Sequence, residues 1–249
     1  MIPKNAITMV GDIRQCWLFV YRAPESQLSR LLPKPLRLVT KDGFGFVNIV
    51  VSELAHMRPR CLPTLFGFHY WHVAYRLHVQ FSPPNEPEIE GLFFLRSDAD
   101  SPFMVWAGKL LTHFNFHFAK INVRSGANLC EIDIDSPEAD AHVILTKDLL
   151  PTLTEGSPFQ DLEEAATFLK YKPVGISVNG GQVDVLRIIR DERAWRFNLV
   201  PVEEARFAYL NLLNAEFEIC YEVEPIQYRW NRAVKYALSN RELSVGDGG

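Results

Sequence analysis

What most constrains this chain is the way turn signals cut it into short β-prone runs along most of its length. "AEFEICYEVEP" alternates, with Phe217, Ile219, Tyr221 and Val223 on one face and Glu216, Glu218 and Glu222 on the other. That pattern predicts a strand with one solvated side. "QCWLFVYR" (15–22) and "YWHVAYRLHVQF" (70–81) are strongly β-prone. "LRLVTKDGFGFVNIVVSEL" reads as strand, Asp-Gly turn, strand. "LFFLRS" follows the proline-rich loop "SPPNEPEIEG" (82–91). "FHFAKINV" and "LCEIDID" flank "RSGAN", and "ISVNGGQVDVLRII" turns at Asn179-Gly180, so both are hairpins.

Helices are few. Pro24 and the stripe Leu28, Leu31 and Leu32 predict a short helix ending at Pro33. "SPFQDLEEAATFL" starts like a helix capped by Ser157, with Pro158 in the first turn and Gln160 three after the cap. "PVEEARFAYLNLL" (201–213) is the third. Many short strands with three helices predict an α+β, mainly β fold. An antiparallel barrel, closed or cone-shaped, manages that many strands. The expected organisation is a single domain over 1–240 and a flexible tail over 241–249, which contains "SVGDGG".

Composition narrows the partners. With 249 residues, 47% of them hydrophobic, the chain can bury a sizeable core. A net charge of −4 without a Lys/Arg-rich run predicts no nucleic-acid partner. The start "MIPKNAITMVGDIRQC" lacks the apolar core of a signal peptide, and runs such as "FVNIVV" are too short to span a bilayer. A cytoplasmic protein with no membrane partner is expected. Cys16, Cys61, Cys130 and Cys220 are dispersed without a CxxC pair, so buried thiols are expected rather than a zinc site.

The segment "LLTHFNFHFAKI" (110–121) carries His113 and His117, four apart. On a helix they could share a metal, but the alternation over 113–118 fits a strand, where they would be roughly 13 Å apart. No metal and no cofactor are therefore expected. One face would hold His113, Asn115 and His117, and the other Phe114, Phe116 and Phe118. Either the phenylalanines pack and the histidines face water, or the His/Asn/His face lines a cavity. A second mixed stripe puts His72, Arg76 and His78 on one face with Tyr70 and Ala74. It is either solvated or a wall toward an anionic or carbonyl ligand.

"CWLFVYRAPESQLSRLLPKPLRL" (16–38) resembles the start of the acetoacetate decarboxylase superfamily. "GFGFVNIVVSELAHMRP" and "GLFFLRSDADSPFMVWAGKLLTHFNFHFAKI" are closer to its YqjF-like branch, of unknown function. The likeness covers residues 16–124 and continues weakly through "RDERAWRFNLVPVEEARF". It implies a cone-shaped, largely antiparallel β-barrel with the site inside. It also implies, for true decarboxylases, a Schiff-base lysine with a depressed pKa, assisted by an arginine and a glutamate. The arginine falls on Arg22, and the glutamate falls near Arg76 to His78, where no acid stands. The lysine pair falls on Phe116 and His117. Lys109 and Lys120 lie nearby, but neither takes the lysine's place.

The resemblance therefore implies a site without Schiff-base decarboxylation. Arg22, Arg76, His72, His78, His113, Asn115 and Phe116 are its candidate ligand-binding residues, for a small carboxylate- or carbonyl-bearing molecule. His117 is the candidate catalytic residue, for acid–base chemistry such as enolisation, dehydration, aldol cleavage or cyclisation. A non-catalytic binding or sensing module is the alternative, and a structural or oligomerising domain is the third. Homo-oligomers are common among superfamily members.

Overall fold

The computed structural model describes residues 3–170 and 172–238. The proposed tail lies outside them.

The "WLFVY" run explains the architecture. Its residues, with Cys16 and Arg22 on either side, are buried on both faces. A strand buried on both sides reads as a continuous apolar run rather than an alternation. One face of β1 (Met9–Pro24) looks into a ring of strands, and the other packs on a second sheet. β1 pairs antiparallel with β2 (Phe44–Pro59), which pairs with β3 (Phe68–Phe81), which pairs with β4 (Ile89–Ala99). After α1 (Glu25–Leu28, between β1 and β2) and α2 (Pro102–Leu111), the short β5 (Phe116–Phe118) joins β4 in parallel.

The second sheet follows. It contains β6 (Lys120–Ser125), β7 (Leu129–Asp135), β8 (Ala141–Thr146) and a later strand, Val202–Phe207. After α3 (Leu162–Leu169), the chain returns to the first sheet. β9 (Val174–Asn179) lies parallel to β4, and β10 (Gln182–Arg190) is its hairpin partner. The loop between them is Gly180-Gly181, both at positive φ, which glycine adopts without strain. The strand Val202–Phe207 is β11, β12 (Glu216–Val223) and β13 (Ile226–Trp230) follow, and a last strand, β14 (Val234–Ala237), pairs with β10. β13 pairs with both β10 and β1. The ladder β1-β2-β3-β4-β9-β10-β13 thus returns to β1, and irregular register along β1–β2, β2–β3 and β3–β4 supplies the bends.

Trp17, Phe19, Tyr21, Ile49, Val73 and Tyr75 pack on Ile132, Ile134, Val143 and Phe207 of the second sheet. The opposite faces of the same strands point into the ring. α2 covers one end, held close because Gly108 has no Cβ. A Cβ there would meet the Phe116 ring at 2.4 Å.

Several expectations are corrected. Residues 202–207 form a strand, not a helix, because Val202 to Phe207 pair with β8 and place Phe207 in the core. α3 starts four residues later than expected. Asp161 caps it, accepting from the Glu164 N–H at 2.8 Å. Glu218 is not solvated. It is fully buried against Arg22. Of 113–118, only Phe116–Phe118 is strand, and 102–111, where no helix was expected, is α2. Cys16 and Cys220 are buried as expected, but Cys61 is exposed and Cys130 half-buried.

Candidate functional site

Beneath α2 the ring holds a cavity of about 100 Å³. Side chains from all round the barrel reach it: Met9 from β1, Leu54 from β2, Tyr70 and His72 from β3, Leu186 from β10, and Tyr228 and Trp230 from β13. α2 contributes Met104 and Gly108, and the loop and strand after it contribute Phe114 and Phe116. Among the described residues, no Asp, Glu, Lys or Arg lines it.

Among the described residues, His72 is the one imidazole at the cavity. It stacks on Phe116 with ring centroids 5.6 Å apart, and the Tyr70 ring stands 6.4 Å away. Burial, and then the Arg76 guanidinium, hold its pKa down to about 3, so the ring is neutral at physiological pH. Its Nε2 is buried with no hydrogen-bond partner. Two other lining residues carry such orphans, Trp230 at Nε1 and Asn5 at Oδ1. Asn5 is clamped in a left-handed conformation (φ 56°). Its N–H donates to the Leu111 carbonyl at 2.6 Å, and its Nδ2 donates to Asp184 at 3.1 Å and Ser177 at 3.3 Å. The segment before β1 is thereby tied to the end of α2.

Arg76 lies deeper, 3% exposed, donating to Asn48 and standing 5.7 Å over the Phe94 ring. Phe94 stacks on Phe114 at 4.2 Å. Cys16, on the same inner face, has its thiol pushed up to about 12 because burial outweighs Arg76 and Arg190. It is no thiolate nucleophile.

The other expected site residues lie elsewhere. Arg22, near the far end of β1, is ion-paired with Glu216 and Glu218 and donates to the Glu155 carbonyl at 2.9 Å. Ser157 donates to Glu218 at 2.8 Å. His78, six residues along β3 from His72, stands 2.6 Å from Glu90, which also pairs with Lys172 at 2.8 Å. Burial lowers the His78 pKa against the opposing pull of Glu90.

His113, Asn115 and His117 project away from the cavity that Phe114 and Phe116 line. His113 Nε2 is 3.2 Å from Asn179 Nδ2, and His117 Nε2 is 3.1 Å from Asn115 Oδ1. Their pKa values are lowered, first by partial burial. The structure therefore brings together His72 and Phe116, with Arg76 behind them. It does not bring Arg22, His78, His113 or His117 to the same place.

Sequence reasoning missed Asn5, Trp230 and α2. Ser101-Pro102 was a legible helix start: Ser101 accepts from the Met104 N–H at 3.4 Å, with proline in the first turn. Nothing local marks Asn5. On the second sheet, Glu131, Asp133 and His142 cluster closely enough that their ligand atoms could reach one ion, a grouping the sequence did not suggest. Arg124 already bridges its carboxylates, at 2.8 Å from Glu131 and 2.5 Å from Asp133.

The ring of strands with an internal cavity defines an acetoacetate decarboxylase-like fold, and solved structures share it. An acetoacetate decarboxylase-like enzyme from Sphingomonas wittichii RW1 superposes with a TM-score of 0.61 at 12% identity, covering 95% of each chain. Acetoacetate decarboxylase from Legionella pneumophila gives 0.61 at 13% identity, covering 94% of this chain and 88% of that one. The enduracididine biosynthesis enzyme MppR, complexed with pyruvate, gives 0.58 at 9%, covering 97% and 93%. The family model DUF2071, described as "Uncharacterized conserved protein (COG2071)", matches residues 12–181, and the chain belongs to that family. No curated protein matches the chain.

Proposed function

We propose that the barrel binds a small, uncharged molecule with a carbonyl or similar hydrogen-bonding group in the cavity beneath α2, without covalent lysine chemistry. One observation carries this reading. The cavity has no charged lining residue, yet three lining residues hold buried polar atoms without partners: His72 Nε2, Trp230 Nε1 and Asn5 Oδ1. Leaving such atoms unpaired costs about 1–3 kcal/mol each. A ligand that supplies the missing partners recovers that cost. A carbonyl oxygen suits the indole N–H, and a hydroxyl suits Asn5 Oδ1 or His72.

Charge favours a carbonyl over a carboxylate. Arg22 is matched by two glutamates, and Arg76 does not line the cavity. The size favours a compact ligand, since the cavity is smaller than one of about 150 Å³ that holds benzene. His72 acts here by hydrogen bonding. A group with a pKa near 3 is a weak base at neutral pH, and general-base catalysis works best near the operating pH. This favours a binding or sensing role over turnover.

A thermal-shift screen tests the reading. Butanone, acetoin and diacetyl should raise the melting temperature, and pyruvate and acetoacetate should not. Trp230→Phe should weaken the binding of a responding ketone about threefold to tenfold, the worth of one hydrogen bond. Stabilisation by the keto acids alone, or a lysine trapped by borohydride with acetoacetate, overturns the proposal.

A further inference from the structure

The helix that covers the cavity is apolar on both sides. Met104, Val105 and Gly108 are buried, while Phe103, Trp106 and Leu110 stand in solvent. A surface helix normally turns a polar face outward, and one that is apolar all round is covered by something. The exposed side chains continue onto the loop between β2 and β3. Phe103 stacks on Phe68 with centroids 4.5 Å apart and lies 5.8 Å from Trp106. Just before Phe68, the 3₁₀ turn Thr64–Phe66 presents Leu65, 80% exposed, and Phe66. Single exposed apolar residues are ordinary, but a contiguous aromatic patch marks a contact surface.

Charge identifies what covers it. Arg58, near the end of β2, and Arg60, on the same loop, line a groove with Arg229 and Thr64 at the foot of the turn. Arg58 is fixed there, with Nε donating to the Leu62 carbonyl at 3.0 Å and Nη1 to the His56 carbonyl at 2.9 Å. Among the described residues, the one carboxylate lining the groove, Asp12, is paired with His56 at 2.6 Å. Glu53, further back on β2, is paired with His69 at 2.7 Å. Lys109 adds an exposed cation on α2. The patch is therefore apolar with cations along its groove side, while Asp100, just before α2, is half-buried and accepts from the Trp71 N–H at 2.9 Å. Asp12 and Glu53 are already paired with histidines, so the arginine side of the patch is net positive and complementary to an anionic surface.

We propose that this face, contrary to the sequence-based expectation of no membrane partner, docks on the surface of an anionic lipid bilayer. Leu65, Phe66 and Trp106 enter the headgroup region, and Arg58, Arg60 and Arg229 lie against anionic headgroups. Reversible attachment combines these two contributions, apolar and aromatic insertion and cation–lipid attraction. No helix among the described residues is long and apolar enough to cross a membrane, so through this face the chain rests on the surface. The proposal stands apart from the cavity reading, although α2 takes part in both.

Sedimentation of the full chain with vesicles tests it. The chain should pellet with mixed phosphatidylcholine and phosphatidylserine vesicles, far less with phosphatidylcholine alone, and less as salt rises. Leu65→Glu and Trp106→Glu, at exposed positions and verified as folded by near-ultraviolet circular dichroism, should abolish pelleting. Trp106→Phe should retain it. Arg60→Gln should weaken it about fivefold, one cation's share. No pelleting with the mixed vesicles overturns the proposal. A dimer in solution that Leu65→Glu makes monomeric also overturns it, because the face would then be an interface between copies.

Discussion

The sharpest consequence of the buried imidazole is a pH-dependent stability carried by His72. Its ordinary pKa of 6.5 falls to about 3 in the folded chain, chiefly through burial. Below pH 6.5 the unfolded chain takes up a proton that the folded chain refuses until near pH 3. Stability is therefore complete above pH 6.5 and lost as pH falls toward 3. Linkage puts the loss at about 1 kcal/mol at pH 6 and about 2 kcal/mol at pH 5. His78, His113 and His117, also lowered, contribute in the same sense, whereas Asp98 and Asp100, raised by burial, contribute in the opposite one. A variant isolates the His72 share. His72→Phe removes the proton site and keeps an aromatic ring against Phe116. Urea unfolding of both proteins at pH 7.5, 6 and 5 should show the wild type losing about 2 kcal/mol more than the variant by pH 5. Equal losses would falsify the account of His72 as a neutral buried imidazole.

Other substitutions probe the packing around it. Gly108→Ala drives a Cβ into the Phe116 ring and should cost about 1–3 kcal/mol by urea unfolding, as overpacking does. Phe116→Ala should enlarge the cavity and cost about 3–5 kcal/mol. Its melting temperature should then rise with larger neutral ligands such as cyclohexanone, which the wild type excludes. Arg22→Ala leaves Glu218 buried without its cation and should cost about 3–5 kcal/mol. Arg22→Ala with Glu218→Gln should recover part of that loss, which a site built on Arg22 for an anionic ligand would not predict.

The fold was legible where local chemistry and tertiary packing agree. The Asn179-Gly180 hairpin, the β-prone runs and the barrel expectation rest on turn residues and side-chain periods that packing then uses. Packing overrode local pattern in two places. Residues 202–207 read as helical, yet the open edge of β8 took them as a strand. Glu218 fits a solvated stripe by alternation, but Arg22 on the neighbouring strand draws it into the core.

The site was harder for a geometric reason. Alternation separates His113, Asn115 and His117 from Phe114 and Phe116, but it cannot say which set faces the ring. The loop 112–115, with Asn115 at φ 49°, and the fit of Phe116 against Gly108 decide that, and both depend on α2. The stripe of His72 and Arg76 had the same ambiguity, because β3 is buried on both sides. Asn5 and Trp230 come from opposite ends of the described chain and meet only once the ring closes.

A crystal structure of the chain soaked with butanone or acetoin tests the central claim most directly. The account predicts ligand density beneath α2, with its oxygen within hydrogen-bonding distance of Trp230 Nε1 or His72 Nε2. An empty cavity with ligand at the Arg22 end of the barrel, or a covalent bond to any lysine, would contradict it.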